Sequence, residues 1–347
     1  MQNPCSGILN GGQPRKGLAR IASLLALVVL LPALVGCQPA TPKLAAYSLG
    51  STPMRLEPWN TPYAPSGRIV ITPHYNLFIA AQRPELSNVL ASFMEGAYSS
   101  YTTLTGLGPK QNLPPMRVYM MADRPQWARV TQHLVKENCE LYLSIEAGGY
   151  CYNGTCVFWD LGGISTFQVA AHEGLHQFLH YRMTDHIPMW AEEGLCTCAE
   201  GFQLYSSRVV FSPYYNTARV SSLQSAITSG RQIPLRTLLS MDAGDAVGQH
   251  MANRAVEYYA QLWSLILYIR TQPQWQAGLE HLLADAAKGQ LGDGLGYKPG
   301  PWAQLSRGGR SYNRAISEAT FTTYITKDLP AFEKGLRAYQ VKLSGLK

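Results

Sequence analysis

The chain has 347 residues, 46% of them hydrophobic and 15% charged. The part that follows its leader, about 310 residues, can bury a sizeable core in one domain or in two closely packed subdomains. Lys and Arg outnumber Asp and Glu by 29 to 22, and three of the basic residues lie in the leader, so the formal +7 falls to +4. That mild balance, with no basic run and no interleaving of basic and aromatic residues, excludes nucleic acid as the expected partner.

Residues 1–36 read as a signal peptide. Arg15, Lys16 and Arg20 precede the apolar run Ile21–Leu31, in the order a secretory leader requires. The run ends in Leu34-Val35-Gly36-Cys37, which resembles the lipobox of bacterial lipoproteins. That resemblance implies a lipidated Cys37 as the new N-terminus, and a chain tied to the membrane of the cell envelope through its lipid. Gln38, where an Asp would signal inner-membrane retention, implies the outer membrane. No second apolar stretch is long enough to span a bilayer. Residues 37–66 carry six prolines from Pro39 to Pro65 and are expected to be an extended tether.

The globular part is expected from Gly67, as an α+β fold. An α/β subdomain with a small mixed sheet covers 67–180, and a mainly helical one covers 181–347, with the active-site cleft between them. Residues 68–72, 76–80 and 116–121 are strand candidates. Residues 84–105 have apolar side chains at helical spacing, with Gly106 and Gly108 to stop them. Pro125 suits the start of another helix carrying Trp127, Val130 and Leu134. In Cys151-Tyr-Asn-Gly-Thr-Cys156, Asn153-Gly154 predicts a two-residue hairpin turn. Cys151 then faces Cys156 in a pair close enough for a disulfide in an exported protein; a Cys-x4-Cys metal knuckle is the alternative. The pairing of Cys139, Cys196 and Cys198 stays open. The strand Val157–Trp159 that follows is expected to offer an exposed edge to an extended peptide.

The stretch with the most chemistry comes next. His172-Glu173-Gly174-Leu175-His176 sits in a segment whose Phe167, Ala170, Ala171, Leu175, Phe178 and Leu179 predict an amphipathic helix, with Ser165 and Thr166 as N-cap candidates. Residues four apart share a helix face, so His172 and His176 can present two imidazoles to one cation. Glu173 is turned about 100° from His172, beside the cation and within reach of a bound water. Two neutral ligands and a carboxylate base are what a zinc hydrolase needs. The alternative is a pair of ordinary polar histidines.

His180 lies roughly 12 Å along the axis from His172, too far to share an ion with it. Asp185 and His186 are candidates for a third ligand with no further support. A second helix from Pro188 offers Glu192 and Glu193, which point about 100° apart, so only one can face the metal. Glu200, two turns beyond Glu193, can accept from the N–H of a ligand histidine. The alternative for these acids is a solvated helix face.

The pair His172-Glu173-x-x-His176 and Trp190-x-x-Glu193-Gly194 resembles the gluzincin zinc metallopeptidases, and most closely the peptidase-MA-like proteins with Pro-x-Trp-x-x-Glu-Gly-Leu after the first helix. The resemblance implies Glu193 as the third zinc ligand and Glu200 as an acid behind a ligand histidine. Two departures are a slightly shorter segment between the motifs and the presence of Cys196 and Cys198. Glu257-Tyr258-Tyr259, opening an apolar helix, resembles the helix after the third ligand. On that likeness Tyr259, with Tyr258 second, stabilises the oxyanion, whereas Tyr258, Leu262, Leu265, Ile266 and Ile269 equally suit a plain core helix. Residues 274–287 and 327–343 read as helices around a Gly-rich loop at 289–300. The expectation is a zinc peptidase acting on a peptide or protein. The alternatives are a non-catalytic zinc-binding envelope lipoprotein and a zinc hydrolase of a non-peptide amide.

Overall fold

Alternation along the strands decides the architecture. In β5 (Met116–Met121) and β7 (Thr155–Trp159), Val118, Met120, Cys156 and Phe158 point to one side of a sheet, and Tyr119, Met121, Val157 and Trp159 to the other. Strands apolar on both faces must be covered on both faces. The structure, a computed structural model, describes residues 46–62, 64–80, 83–110, 112–137, 139–247, 254–295 and 310–346. The leader, Cys37 and the first part of the expected tether lie outside the described residues.

In chain order the elements begin with β1 (Ala46–Ser48), β2 (Arg55–Thr61), β3 (Ala64–Ile71), β4 (Tyr75–Ile79) and α1 (Pro84–Thr105). After β5 come α2 (Arg124–Val135), α3 (Cys139–Leu143) and β6 (Gly149–Tyr152). Beyond β7 are α4 (Gly163–Arg182), α5 (Met189–Ala199), β8 (Phe202–Leu204) and β9 (Arg208–Phe211). Further on, the described residues form the helices α6 (Thr217–Thr228), α7 (Leu235–Ser240), α8 (Ala243–Val247), α9 (Ala255–Ile269), α10 (Pro273–Lys288), α11 (Leu291–Gly294), α12 (Arg310–Tyr324) and α13 (Leu329–Leu343). This is an α+β fold.

The main sheet has six strands in the order β2-β3-β4-β5-β7-β6, with β4, β5 and β7 parallel and the outer pairs antiparallel. One face packs against α1 and α4 in a core that continues through α5 and α9. The other carries an aromatic cluster around Trp59, Trp127, Tyr150 and Trp159. A three-stranded sheet, β1-β9-β8, lies apart from it.

The expected tether is corrected from Ala46 on. Residues 55–61 and 64–71 form a hairpin in the main sheet, and 46–48 pair with β9. Pro58 fits because β2 is an edge strand, where a missing N–H breaks no ladder. Trp59, packed edge-on against Phe78 and Tyr119, gives that strand its burial. The described residues form one compact unit. The expected boundary at 180/181 falls inside the last turn of α4, and α4 packs against α5 inside one core. Among the described residues no helix is long and apolar enough to cross a membrane.

Candidate functional site

The helix that carries the His-Glu-x-x-His stretch starts one turn earlier than its expected caps. Gly162 is at the N-cap with φ 82°, and Ser165 and Thr166 lie inside the first turn. The Thr166 hydroxyl instead donates to Asp160 Oδ1 at 2.9 Å and accepts from the Leu161 amide, closing the β7–α4 connection. Phe167, Ala170, Ala171, Leu175, Phe178 and Leu179 are all buried against the sheet and α1. The glycine after each motif acid marks a close helix approach. A Cβ on Gly174 would meet the Tyr101 hydroxyl at 2.5 Å, and one on Gly194 would meet Ile266 on α9 at 2.6 Å. Trp190, fully buried, donates its indole N–H to the Ser317 carbonyl at 3.3 Å and anchors the start of α5.

These packings bring His172, His176 and Glu193 together. The two imidazole rings are 5.1 Å apart between centroids. Glu193 Oε2 lies 3.3 Å from His172 Nε2 and 3.5 Å from His176 Nε2. Neither contact has hydrogen-bond geometry, and Glu193 Oε2 is buried with no hydrogen-bond partner among the described residues. The other ring nitrogens are held by carboxylates: His172 Nδ1 by Glu200 Oε1 at 2.9 Å, His176 Nδ1 by Glu192 Oε1 at 2.8 Å. The two neighbouring acids of α5 thus take different places, one in front of the imidazoles and one behind. Both Nε2 atoms are left to face one carboxylate oxygen, the donor set that suits a divalent cation.

The electrostatics call for positive charge at that point. Burial alone would raise the pKa of Glu193, but His176 and His172 hold it well below the usual carboxylate range. Burial lowers His172, yet Glu193 and Glu200 raise it to about 9. Burial pushes Glu173 up, against the pull of the two imidazoles. Glu173 opens onto a cavity of about 730 Å³ shared with His172, His176, Glu192, Glu193 and Tyr259.

Tyr259, partly buried, stands edge-on to His172 with ring centroids 5.9 Å apart. Tyr258 is fully buried, and its hydroxyl donates to the Met241 carbonyl at 3.4 Å, so it belongs to the core. His180 lines the cavity with its ring against Gly154 at the hairpin turn. Asp185 accepts from the Leu291 amide at 3.0 Å and ties the connection between α4 and α5 to the start of α11.

Two expectations about the hairpin are corrected. β7 lies between β5 and β6, so the sheet edge that borders the cavity is β6, not Val157–Trp159. Asn153 and Gly154 form the turn, with φ 48° and 70°, and Cys151 pairs with Cys156 across it. The Cys151–Cys156 disulfide is nevertheless not formed. The Cys156 thiol donates to the Glu173 carbonyl at 3.0 Å. Cys139, Cys196 and Cys198 are also free thiols.

Sequence reasoning missed three groups. The Cys196 sulfur and one nitrogen from each of His172 and His176 all lie within 4.8 Å of one another, and burial pushes that thiol up. Asn216 and Arg219, from the start of α6, both bond to Glu200. Only the Asn-Thr step at the N-cap of α6 is visible in sequence, and it points to a helix start, not to a site. Comparison of the chain with protein-family models, with curated proteins and with solved structures finds no match.

Proposed function

We propose that this protein is a zinc-dependent peptidase, gluzincin-like, carried on the cell envelope by a lipid on Cys37. The observation that carries the reading is Glu193 Oε2: buried, without a hydrogen-bond partner among the described residues, and facing the Nε2 atoms of both helix histidines. An orphaned buried carboxylate oxygen is costly unless a cation meets it. His172, His176 and Glu193, which line the cavity, would hold the zinc as its three protein ligands. When bound, zinc supplies Lewis acidity and makes water a competent nucleophile near neutral pH.

The remaining work falls to the chain's own side chains. Glu173, with its pKa raised by burial, takes the proton from the attacking water and returns it to the leaving amine. Tyr259 donates its phenol to the oxyanion that develops on the former carbonyl. The β6 edge, with its unpaired backbone groups along the cavity, suits a substrate held in extended form by main-chain hydrogen bonds. Glu192 and Glu200 orient the two imidazoles through Nδ1 and keep each Nε2 lone pair forward.

Metal analysis of the purified chain beside a His172→Ala variant tests the ligand set, and a peptide and protein panel with and without chelator tests the activity. One zinc per chain, lost with His172, and chelator-sensitive hydrolysis lost in Glu173→Gln with zinc retained are the expected results. A chain that holds no metal, or a Glu173→Gln variant with undiminished turnover, rejects the reading.

A further inference from the structure

The two histidines are not supported equally. Behind His176 stands Glu192 alone, with one hydrogen bond among the described residues, from His176 Nδ1 to Oε1. Behind His172 stands Glu200, and both of its oxygens are doubly engaged. Oε1 faces His172 Nδ1 at 2.9 Å and accepts from Arg219 Nη2 at 2.8 Å. Oε2 accepts from Arg219 Nε at 2.9 Å and from Asn216 Nδ2 at 2.9 Å. An ionised carboxylate has about four acceptor sites, so Glu200 is saturated, and its plane is locked by the Arg219 fork.

Arg219 makes a second contact with the same centre. Its guanidinium carbon lies 5.2 Å from the centroid of the Tyr259 ring, a cation–π arrangement. The Tyr259 ring in turn stands edge-on to His172. From the first turn of α6, one side chain therefore touches the acid behind a helix histidine and the face of the tyrosine in front of it. Asn216 braces that turn, accepting from the Arg219 amide at 3.4 Å and donating to the Thr197 carbonyl at 3.1 Å.

We propose that Arg219 is a positioning residue of the centre, fixing the His172 ring through Glu200 and the Tyr259 ring through its own planar face. The inference rests on the reading of His172 as a zinc ligand. A forked Arg–carboxylate pair holds the carboxylate in one orientation, so His172 must donate from Nδ1 and direct its Nε2 lone pair forward. A lysine would supply charge without the fork or the stacking plane.

The test is a chelator-competition measurement of zinc affinity on the full chain, for wild type, Arg219→Met, Arg219→Lys, Glu200→Gln and the Arg219→Met/Glu200→Gln double variant. Circular dichroism confirms that each is folded, and the visible spectrum of the cobalt-loaded chain reports the ligand field. Loss of a group behind a ligand histidine weakens metal binding roughly 10–100-fold, so Arg219→Met should do so and alter the cobalt spectrum, with Arg219→Lys recovering only part. Because Arg219 acts through Glu200, adding Arg219→Met to Glu200→Gln should cost little more. Wild-type affinity and spectrum in a folded Arg219→Met chain, full recovery in Arg219→Lys, or additive losses in the double variant would each overturn the inference. Should Arg219→Met fail to fold, the Arg219→Lys result decides alone: partial loss supports it and full affinity overturns it. A wild-type chain that takes up no zinc overturns the metal reading and this inference with it. A zinc-binding wild type with an indifferent Arg219 overturns this inference alone.

Discussion

The two faces of the six-stranded sheet are built from the same strands and do opposite things. On the α2 side, Trp59, Trp127, Tyr150 and Trp159 pack in edge-on and tilted pairs, and the polar atoms there are satisfied locally. Trp127 donates its indole N–H to the Val157 carbonyl at 3.2 Å, and Tyr150 donates its hydroxyl to Thr131 at 3.1 Å. On the α4 side the apolar core also encloses Glu173, Glu193 and Glu200, all buried. Burying three acids beside two imidazoles costs stability unless positive charge meets them. One face therefore stores folding energy, and the other spends some of it to hold groups that would relax in water.

That contrast can be broken by substitutions that should be felt on one side only. Removing the proposed base has the largest expected effect. Glu173→Gln should lower hydrolysis ~10²–10⁴-fold with zinc content and unfolding midpoint unchanged, and a stability loss of similar rank would erase the distinction. Next is Trp127→Ala, which empties the centre of the aromatic cluster. It should cost about 3–5 kcal/mol in denaturant unfolding and leave zinc affinity alone. Tyr259→Phe should reduce kcat ~10²–10³-fold without moving the metal; an unchanged kcat would return Tyr259 to the structural side.

The smallest effect is a pH limb. Burial alone would raise Glu200, but Arg219 and His172 hold its pKa down to about 2, below the ordinary 4.5. A depressed pKa means that the unfolded chain takes up the proton first. The stability contributed by Glu200 is therefore complete above about pH 4.5 and drains away as the pH falls toward 2, on the order of 3 kcal/mol. Glu200→Gln should flatten that acid limb in pH-dependent unfolding, and an unchanged slope would mean the pairing contributes nothing.

What could be read from the chain in advance was whatever depends on neighbours in sequence. The His172/His176 spacing puts both rings on one helix face. Asn153-Gly154 is the turn of the β6–β7 hairpin, and Gly106 ends α1 in a left-handed conformation at φ 70°. Glu192 and Glu193 could be seen to diverge, but which one faces the imidazoles depends on how α5 is rolled against α4 and α9. Elements set by distant contacts stayed hidden. β2 looked like a proline-rich tether because edge position, which excuses Pro58, is not a local property. Cys156 looked ready for a bridge because its hydrogen bond to the Glu173 carbonyl comes from a different element. Arg219 had no motif, since its partners Glu200 and Tyr259 are 19 and 40 positions away along the chain.

The division of labour between Glu192 and Glu193 has a consequence for how such a chain can change length. Each residue inserted inside α5 ahead of the pair would turn everything beyond it by about 100° and exchange the carboxylate in front of the imidazoles for a different side chain. Residues added between 183 and 188, outside both helices, leave that phase untouched. Insertions and deletions should therefore survive in the connection and be purged from the helix, a pattern that deletion scanning of this short stretch would reveal.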